Sequence, residues 1–239
     1  MLPHFNQIFF VGPLSKKAMQ LACLFDHISA VAVTTLVVVL YWAVVVLSTS
    51  VSGHMGYKEH KPLETAWTVI PMLMLLWIAL PSLYLLYSHD ETSKKVFTTI
   101  KVIGHQWYWE YEYSPWDVFH GNSFSFDSYM LRDPDLKLGQ PRTLTVDKPM
   151  VLPYGVPVRV LTTSADVIHS WAVPSLGLKA DALPGRLNQV VMCALKPGVV
   201  WGMCSEICGD GHAYMPIEIE LITPEDFISW LQEAHRRSA

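Results

Sequence analysis

Between Asp26 and Lys58 the sequence carries no Asp, Glu, Lys or Arg, and within that interval ISAVAVTTLVVVLYWAVVVL (28–47) is apolar almost without a break. A second charge-free run, TAWTVIPMLMLLWIALPSLYLLYS (65–88), covers 24 positions. At about 1.5 Å per residue this run makes about 36 Å of helix, against a hydrocarbon core of about 30 Å. Both runs are longer than an ordinary buried core helix, so two membrane spans are expected. Pro71 and Pro81 do not oppose this, because neighbouring helices and polar side chains satisfy the carbonyls that proline frees inside a membrane helix. Lys58 and Lys61 between the spans balance Lys16 and Lys17 before them, so the basic residues assign no orientation.

From residue 89 onward the composition is that of a water-soluble domain, with 18 acidic against 13 basic residues and a net charge of −5. That sign excludes a nucleic-acid partner, which needs a concentrated basic surface, and suits a basic one. The start, MLPHFNQIFFVGPLSKKAMQLAC, has neither the basic, apolar and small-residue parts of a signal peptide nor an Arg-rich presequence. The expectation is an untrimmed chain.

Five segments read as strands: IKVIGHQWYWEYEY (100–113), RTLTVD (142–147), PVRVLTTS (157–164), LNQVVMCAL (187–195) and PIEIEL (216–221). Val, Thr, Ile and aromatics recur there with period two between turn-forming residues, which predicts a small all-β sandwich or barrel. TPEDFISWLQEAHRR reads as one closing helix, with Thr223 as N-cap and Pro224 in the first turn. The expected organisation is an N-terminal segment (1–25), a first span (26–50), a loop (51–64), a second span (65–88) and a β domain (89–239).

The densest chemistry lies in CSEICGDGHAYMP (204–216), where Cys204, Cys208, His212 and Met215 are four donors of metal-ligand type. Isolated Cys23 and Cys193 read as small buried apolar side chains. A Cys204–Cys208 disulfide would leave His212 and Met215 unexplained. Two thiolates, His212 and one distant histidine would suit zinc. Met215 favours copper, because a thioether is a poor zinc ligand and a familiar weak axial ligand of copper. The leading distant histidine is His169 in SADVIHSWAVPS, which loops at one end of a sandwich can bring to 204–215.

Taken together, LETAWTVIP, IALPSL, GHQWYWEYEY, FDSYM, VIHSWAVPSLGLK, LPGRLNQ and CSEICGDGH..MP resemble cytochrome c oxidase subunit II from the first span to the last helix. The resemblance implies an α+β membrane protein, with a two-helix transmembrane hairpin, then a cupredoxin-like Greek-key β-barrel or sandwich, then a C-terminal helix. It implies a dinuclear copper centre, CuA, with two coppers per chain. Carried onto this sequence, Cys204 and Cys208 bridge the metals, His169 and His212 each bind one, and Met215 and the Glu206 carbonyl complete the two sets weakly. The Glu206 carboxylate would help hold a magnesium ion shared with subunit I. Trp107 matches the tryptophan that receives electrons from cytochrome c. Asp147 and Asp166 match acidic positions facing that donor, and Glu112 is a further candidate. Glu64 matches a glutamate near the entrance of the lysine-lined proton path of subunit I.

The implied function is that of a subunit of a terminal respiratory oxidase. Electrons from cytochrome c reach CuA and pass to haem a in subunit I, where oxygen is reduced to water with proton pumping. The implied location is the mitochondrial inner membrane, with the copper domain in the intermembrane space and the other oxidase subunits as partners. Two rivals are weighed against this. A membrane-tethered copper chaperone would carry a thioredoxin-like αβ pattern, and a structural quinol oxidase subunit would lack the copper ligands. Three departures from the family pattern stand out: Asp210-Gly211 in place of Ala-Asn, Glu110 in place of serine, and a longer loop at SPWDVFHGNS (114–123). Period-two alternation also conflicts with the resemblance at Trp107, since it groups Trp107 with Trp109, Tyr111 and Tyr113 on one buried face.

Overall fold

The structure is a computed structural model that describes residues 9–49, 59–89, 95–114 and 122–238. Most of the inter-span loop and most of the 114–123 insertion therefore lie outside the described residues. The chain divides into two compact units, Gln20–His89 and Met1–Met19 with Asp90–Ala239.

The first unit is built on α1 (Lys16–Ser48) and α2 (Lys61–His89). Their most apolar windows reach mean hydropathies of 2.6 and 2.2, and almost none of that surface is buried within the protein. Apolar side chains facing outward along a helix of this length call for lipid as the solvent. Pro71 and Pro81 both lie inside α2. Both helices begin earlier than the expected spans, at Lys16 rather than 26 and at Lys61 rather than 65. Lysine is a good helix former, so a boundary drawn by charge marks where the membrane begins and not where the helix does.

Among the described residues the second unit contains ten strands: β1 (Thr98–His105), β2 (Tyr108–Tyr113), β3 (Phe124–Ser128), β4 (Met150–Pro153), β5 (Val158–Ser164), β6 (His169–Val173), β7 (Leu178–Ala182), β8 (Asn188–Met192), β9 (Gly198–Cys204) and β10 (Pro216–Ile222). They form two five-stranded sheets, ordered β3-β2-β1-β5-β8 and β4-β10-β9-β6-β7. Each is mostly antiparallel with one parallel pair, β1 with β5 and β10 with β4. The core between the sheets includes Trp109, Tyr111, Val102 and Val160 of one and Trp171, Val200, Ile217 and Ile219 of the other, all fully buried.

The run 100–113 is a hairpin and not one strand, with its turn at Gln106 and Trp107. Ile100 pairs with Tyr113 and His105 with Tyr108. The buried face therefore changes parity, from Ile100 and Val102 to Trp109, Tyr111 and Tyr113. Trp107 lies in the turn, 38% exposed, and is not a core residue. RTLTVD is not a strand either. Only Val146 pairs there, in an isolated bridge to Met130, while Thr143 takes a left-handed φ of 62°. The Thr145 hydroxyl bonds the Pro141 carbonyl at 2.9 Å. Such local side-chain bonds compete with a ladder.

The closing helix α3 (Pro224–Ser238) starts as its sequence dictates: the Asp226 N–H donates to Thr223 Oγ1 at 3.1 Å, and the Thr223 hydroxyl donates to Asp226 Oδ2 at 2.7 Å. Phe227 and Leu231 bury one face of α3 in the core, and Trp230 packs edge-on to Tyr113. The stretch before the first span also joins this unit. The Leu14 N–H donates to the Ser175 carbonyl at 2.7 Å, and the Leu195 N–H donates to the Leu14 carbonyl at 2.8 Å.

Candidate metal centre

β9 and β10 are antiparallel neighbours, and the connection between them carries the clustered donors. Cys204 ends β9, and its N–H donates to the Met215 carbonyl at 3.3 Å, which closes the neck of the loop just before β10. The loop doubles back through Gly209, whose φ of +116° is a conformation that side chains oppose. Cys208, His212 and Met215 are thereby returned to Cys204. His169 is the first residue of β6, the strand beside β9, and it is fully buried. Its ring lies over Gly104 of β1, where a methyl group would come within 2.7 Å of Cδ2.

The two sulfurs of Cys204 and Cys208 are 3.9 Å apart, and both cysteines are free. Each has its own imidazole: His169 Nδ1 is 3.9 Å from Cys204 Sγ, and His212 Nδ1 is 3.5 Å from Cys208 Sγ. Met215 Sδ lies 3.5 Å from Cys208 Sγ, and the Glu206 carbonyl lies 3.4 Å from Cys204 Sγ. The donor atoms of His169, Cys204 and Cys208 all fall within 4.8 Å of one another. A first-row thiolate bond is about 2.3 Å long, so a single ion can touch both sulfurs at this spacing. Three sulfur donors with imidazoles form a soft set that fits copper, and the thioether disfavours zinc.

Hydrogen bonds hold these donors ready. His169 Nε2 bonds Asp166 Oδ1 at 2.9 Å, which fixes the tautomer and leaves Nδ1 to face the sulfurs. Trp109 Nε1 donates to the Met215 carbonyl at 3.3 Å. Burial works against an ionised Cys204, but hydrogen bonds with His169, the Glu206 and Ser170 backbone and His212 together outweigh it and bring the thiol down to about 6. Cys208, desolvated beside that thiolate, is pushed up to about 12. Burial also opposes a charged His169, yet Cys204 and Asp166 hold it above its usual value.

Trp107 sits directly against this loop. Its Nε1–H donates to the Cys208 carbonyl at 3.2 Å, and the Gln106 side-chain amide donates to the same oxygen at 2.8 Å. The other residues singled out in the sequence have partners of their own. Glu112 pairs with Lys101 at 2.8 Å, and Asp147 accepts the N–H groups of Tyr129 and Lys148, each at 2.8 Å. Glu64 lies in the first turn of α2, where it accepts the His60 N–H at 3.2 Å and pairs with Lys61 at 3.3 Å. Asp166 does more than its place in the sequence suggested, since it also accepts the Gln106 N–H at 2.7 Å and so ties the Trp107 turn to the His169 ligand. The one signal for this is the i, i+3 spacing of Asp166 and His169. Gly104 and Gly211 carried no sequence signal of their close packing.

Fold and site together define a two-span membrane protein whose β-sandwich presents a sulfur-rich copper site. Among its described residues the β domain does not alternate strands with α-helices, which sets it apart from a thioredoxin-like chaperone. The family model for cytochrome C oxidase subunit II, periplasmic domain, matches residues 98–222, and that for its transmembrane domain matches residues 3–85. Cytochrome c oxidase subunit 2 of Oenothera berteroana is 52% identical over 169 residues, covering 71% of this chain and 66% of that protein. The Arabidopsis thaliana protein of the same name is also 52% identical over 169 residues, with 71% and 65% covered. The alignment thus spans just under two thirds of each plant protein. Among solved structures, the periplasmic domain of subunit II of cytochrome oxidase (CoxB) of Bradyrhizobium japonicum is 45% identical and superposes with a TM-score of 0.54, covering 61% of this chain and 99% of that one. The chain belongs to the cytochrome c oxidase subunit II family.

Proposed function

We propose that this chain is the electron-accepting subunit of a terminal respiratory oxidase, which takes electrons from cytochrome c at a dinuclear CuA centre and hands them to haem a in subunit I. Oxygen is reduced to water in that other subunit, with proton pumping. The observation that carries this reading is the pair of sulfurs 3.9 Å apart, each flanked by a different imidazole. Five soft or borderline donors and a carbonyl are more than one tetrahedral ion takes. Two coppers would use them all: Cys204, Cys208, His169 and His212 would hold the pair, with Met215 and the Glu206 carbonyl as weaker donors. Bound copper supplies a one-electron relay whose charge is shared across the thiolates.

The protein's part is to hold the ligands still. His169 is fixed by Asp166 and Gly104, Met215 by Trp109, and the loop neck by the two strands it joins. A site held this firmly changes little when an electron arrives. Trp107, hydrogen-bonded to the carbonyl of a bridging cysteine, is the point at which electrons come in. Glu206 also offers a carboxylate to magnesium shared with subunit I, and Glu64 serves the proton path of that subunit. The protein belongs in the mitochondrial inner membrane, with the copper domain facing the intermembrane space. The test is electron paramagnetic resonance on the oxidised complex in detergent. An unpaired electron shared over two copper nuclei, with two coppers per chain on metal analysis, is expected. A single-copper spectrum would overturn the dinuclear assignment.

Docking follows from charge. The net −5 of the domain from residue 89 onward attracts a basic donor, so the association rate should fall steeply as salt rises. Glu112 and Asp147 are the acids to neutralise, and doing so should weaken docking while the copper spectrum stays unchanged. Asp166, a third acid of the docking surface, needs separate treatment because it also orients His169. Stopped-flow association that is flat between low and high salt would remove this surface from the docking site.

A further inference from the structure

We propose that Asp210 is a docking acid set at the point of electron input, where its carboxylate draws a basic patch of the donor onto the Trp107 indole. Asp210 lies inside the ligand loop, between Cys208 and His212, and it is exposed. On both sides of it the chain runs along the ring. A Cβ at position 209 would stand 3.2 Å from Cζ2 and 3.4 Å from Nε1 of Trp107, and one at position 211 would stand 2.3 Å from both Cγ and Cδ2. The indole is itself partly exposed, so a partner that covers it also meets Asp210.

The other acids of this surface have their charge engaged within the protein. Glu112 is paired with Lys101 at 2.8 Å, Glu110 with His105 at 3.1 Å and Asp166 with His169 at 2.9 Å. Asp147 accepts the N–H groups of Tyr129 and Lys148. A cation or donor that close reduces the field a carboxylate presents to an approaching molecule. Among the described residues the Asp210 side chain has no hydrogen-bond or ion-pair partner. Glu206, the other acid of the loop, is read above as a magnesium ligand toward subunit I. The net −5 of the domain attracts a basic donor from any side, and Asp210 decides where it comes to rest.

The inference rests on the reading of this domain as the docking surface for a basic donor. The experiment is stopped-flow association of reduced cytochrome c with the assembled oxidase across ionic strength. Asp210→Asn, nearly the same in shape, should slow association about twofold to fivefold at low salt, the scale of one exposed charge pair. That difference should vanish near about 1 M salt, where the screening length is about 3 Å. Asp210→Lys should slow association by about tenfold or more, and Asp210→Glu, which keeps the charge, should stay close to wild type. All of these variants should retain the copper of wild type. Glu225→Gln is the control for position, because Glu225 lies in the first turn of α3, beyond the far end of β10 and about 20 Å of strand away from the loop. Its association should match wild type. Slowing by Glu225→Gln equal to that of Asp210→Asn would reduce Asp210 to a share of the net charge and overturn the proposal. Wild-type association in Asp210→Asn, or slowing in Asp210→Glu as large as in Asp210→Asn, would overturn it too. Loss of copper from Asp210→Asn would assign the carboxylate to the fold of the loop instead. Wild-type association that does not vary with salt would sink the docking surface itself.

Discussion

Cys208→Ser should abolish the paired-copper signal of the oxidised complex and reduce electron transfer from cytochrome c to background. The Cys208 sulfur is the hub of the site, 3.9 Å from Cys204 Sγ and 3.5 Å from both His212 Nδ1 and Met215 Sδ. Serine puts a hard oxygen on a shorter bond in its place. A neutral hydroxyl neither ionises at working pH as a thiol does beside a metal nor supplies the soft donor that copper selects. The fold should survive, because the two side chains are close in size and the loop is held by Cys204, Gly209 and the Trp107 turn. Thermal melting of the complex separates misfolding from loss of the centre, and metal analysis should find no more than one copper per chain. A variant that kept the two-copper signal would show that Cys208 is not a bridging ligand.

Trp107→Phe should slow electron injection from bound cytochrome c by about a hundredfold or more, with donor affinity, copper content and melting temperature close to wild type. The indole is partly exposed in its turn and adds little to the core, so the packing loss is small. What phenylalanine removes is the second ring and the Nε1–H that contacts the Cys208 carbonyl, the direct link between the protein surface and a ligand segment. Gln106 still bonds the same carbonyl, so the loop should keep its shape. Flash-induced injection at matched copper occupancy measures the effect directly. A rate equal to wild type would show that electrons reach the site by another route.

The two predictions draw on different kinds of information. The ligand types of the loop could be read from its residues, because Cys204, Cys208, His212 and Met215 lie so close along the chain that any turn brings them near one another. Trp107 could not be read in this way. Alternation placed it with Trp109 and Tyr111, and only the pairing of Ile100 with Tyr113 put it into a turn and onto the metal loop. The same limit applied to strands. Runs rich in Val, Thr and Ile such as 157–164 were legible, whereas β4, β6, β7 and β9 are short or carry few polar residues between apolar ones. Both faces of β4 and β6 are buried, which erases the period-two signal. RTLTVD showed the signal without the strand, because its threonines bond locally.

Sequence by itself determined that two charge-free segments are long and apolar enough to cross a membrane, and that donors suited to a soft metal cluster in 204–215. It also marked the cap of the last helix, where every cue is local. Tertiary structure decided which distant histidine completes the site and which ring packs over Gly104 and over Gly211. These are contacts between residues about 35 to 105 positions apart. A sequence records which groups are available and how neighbours along the chain constrain each other. Distances across two packed sheets depend on register and on the space each ring takes from another, and those are properties only of the folded chain.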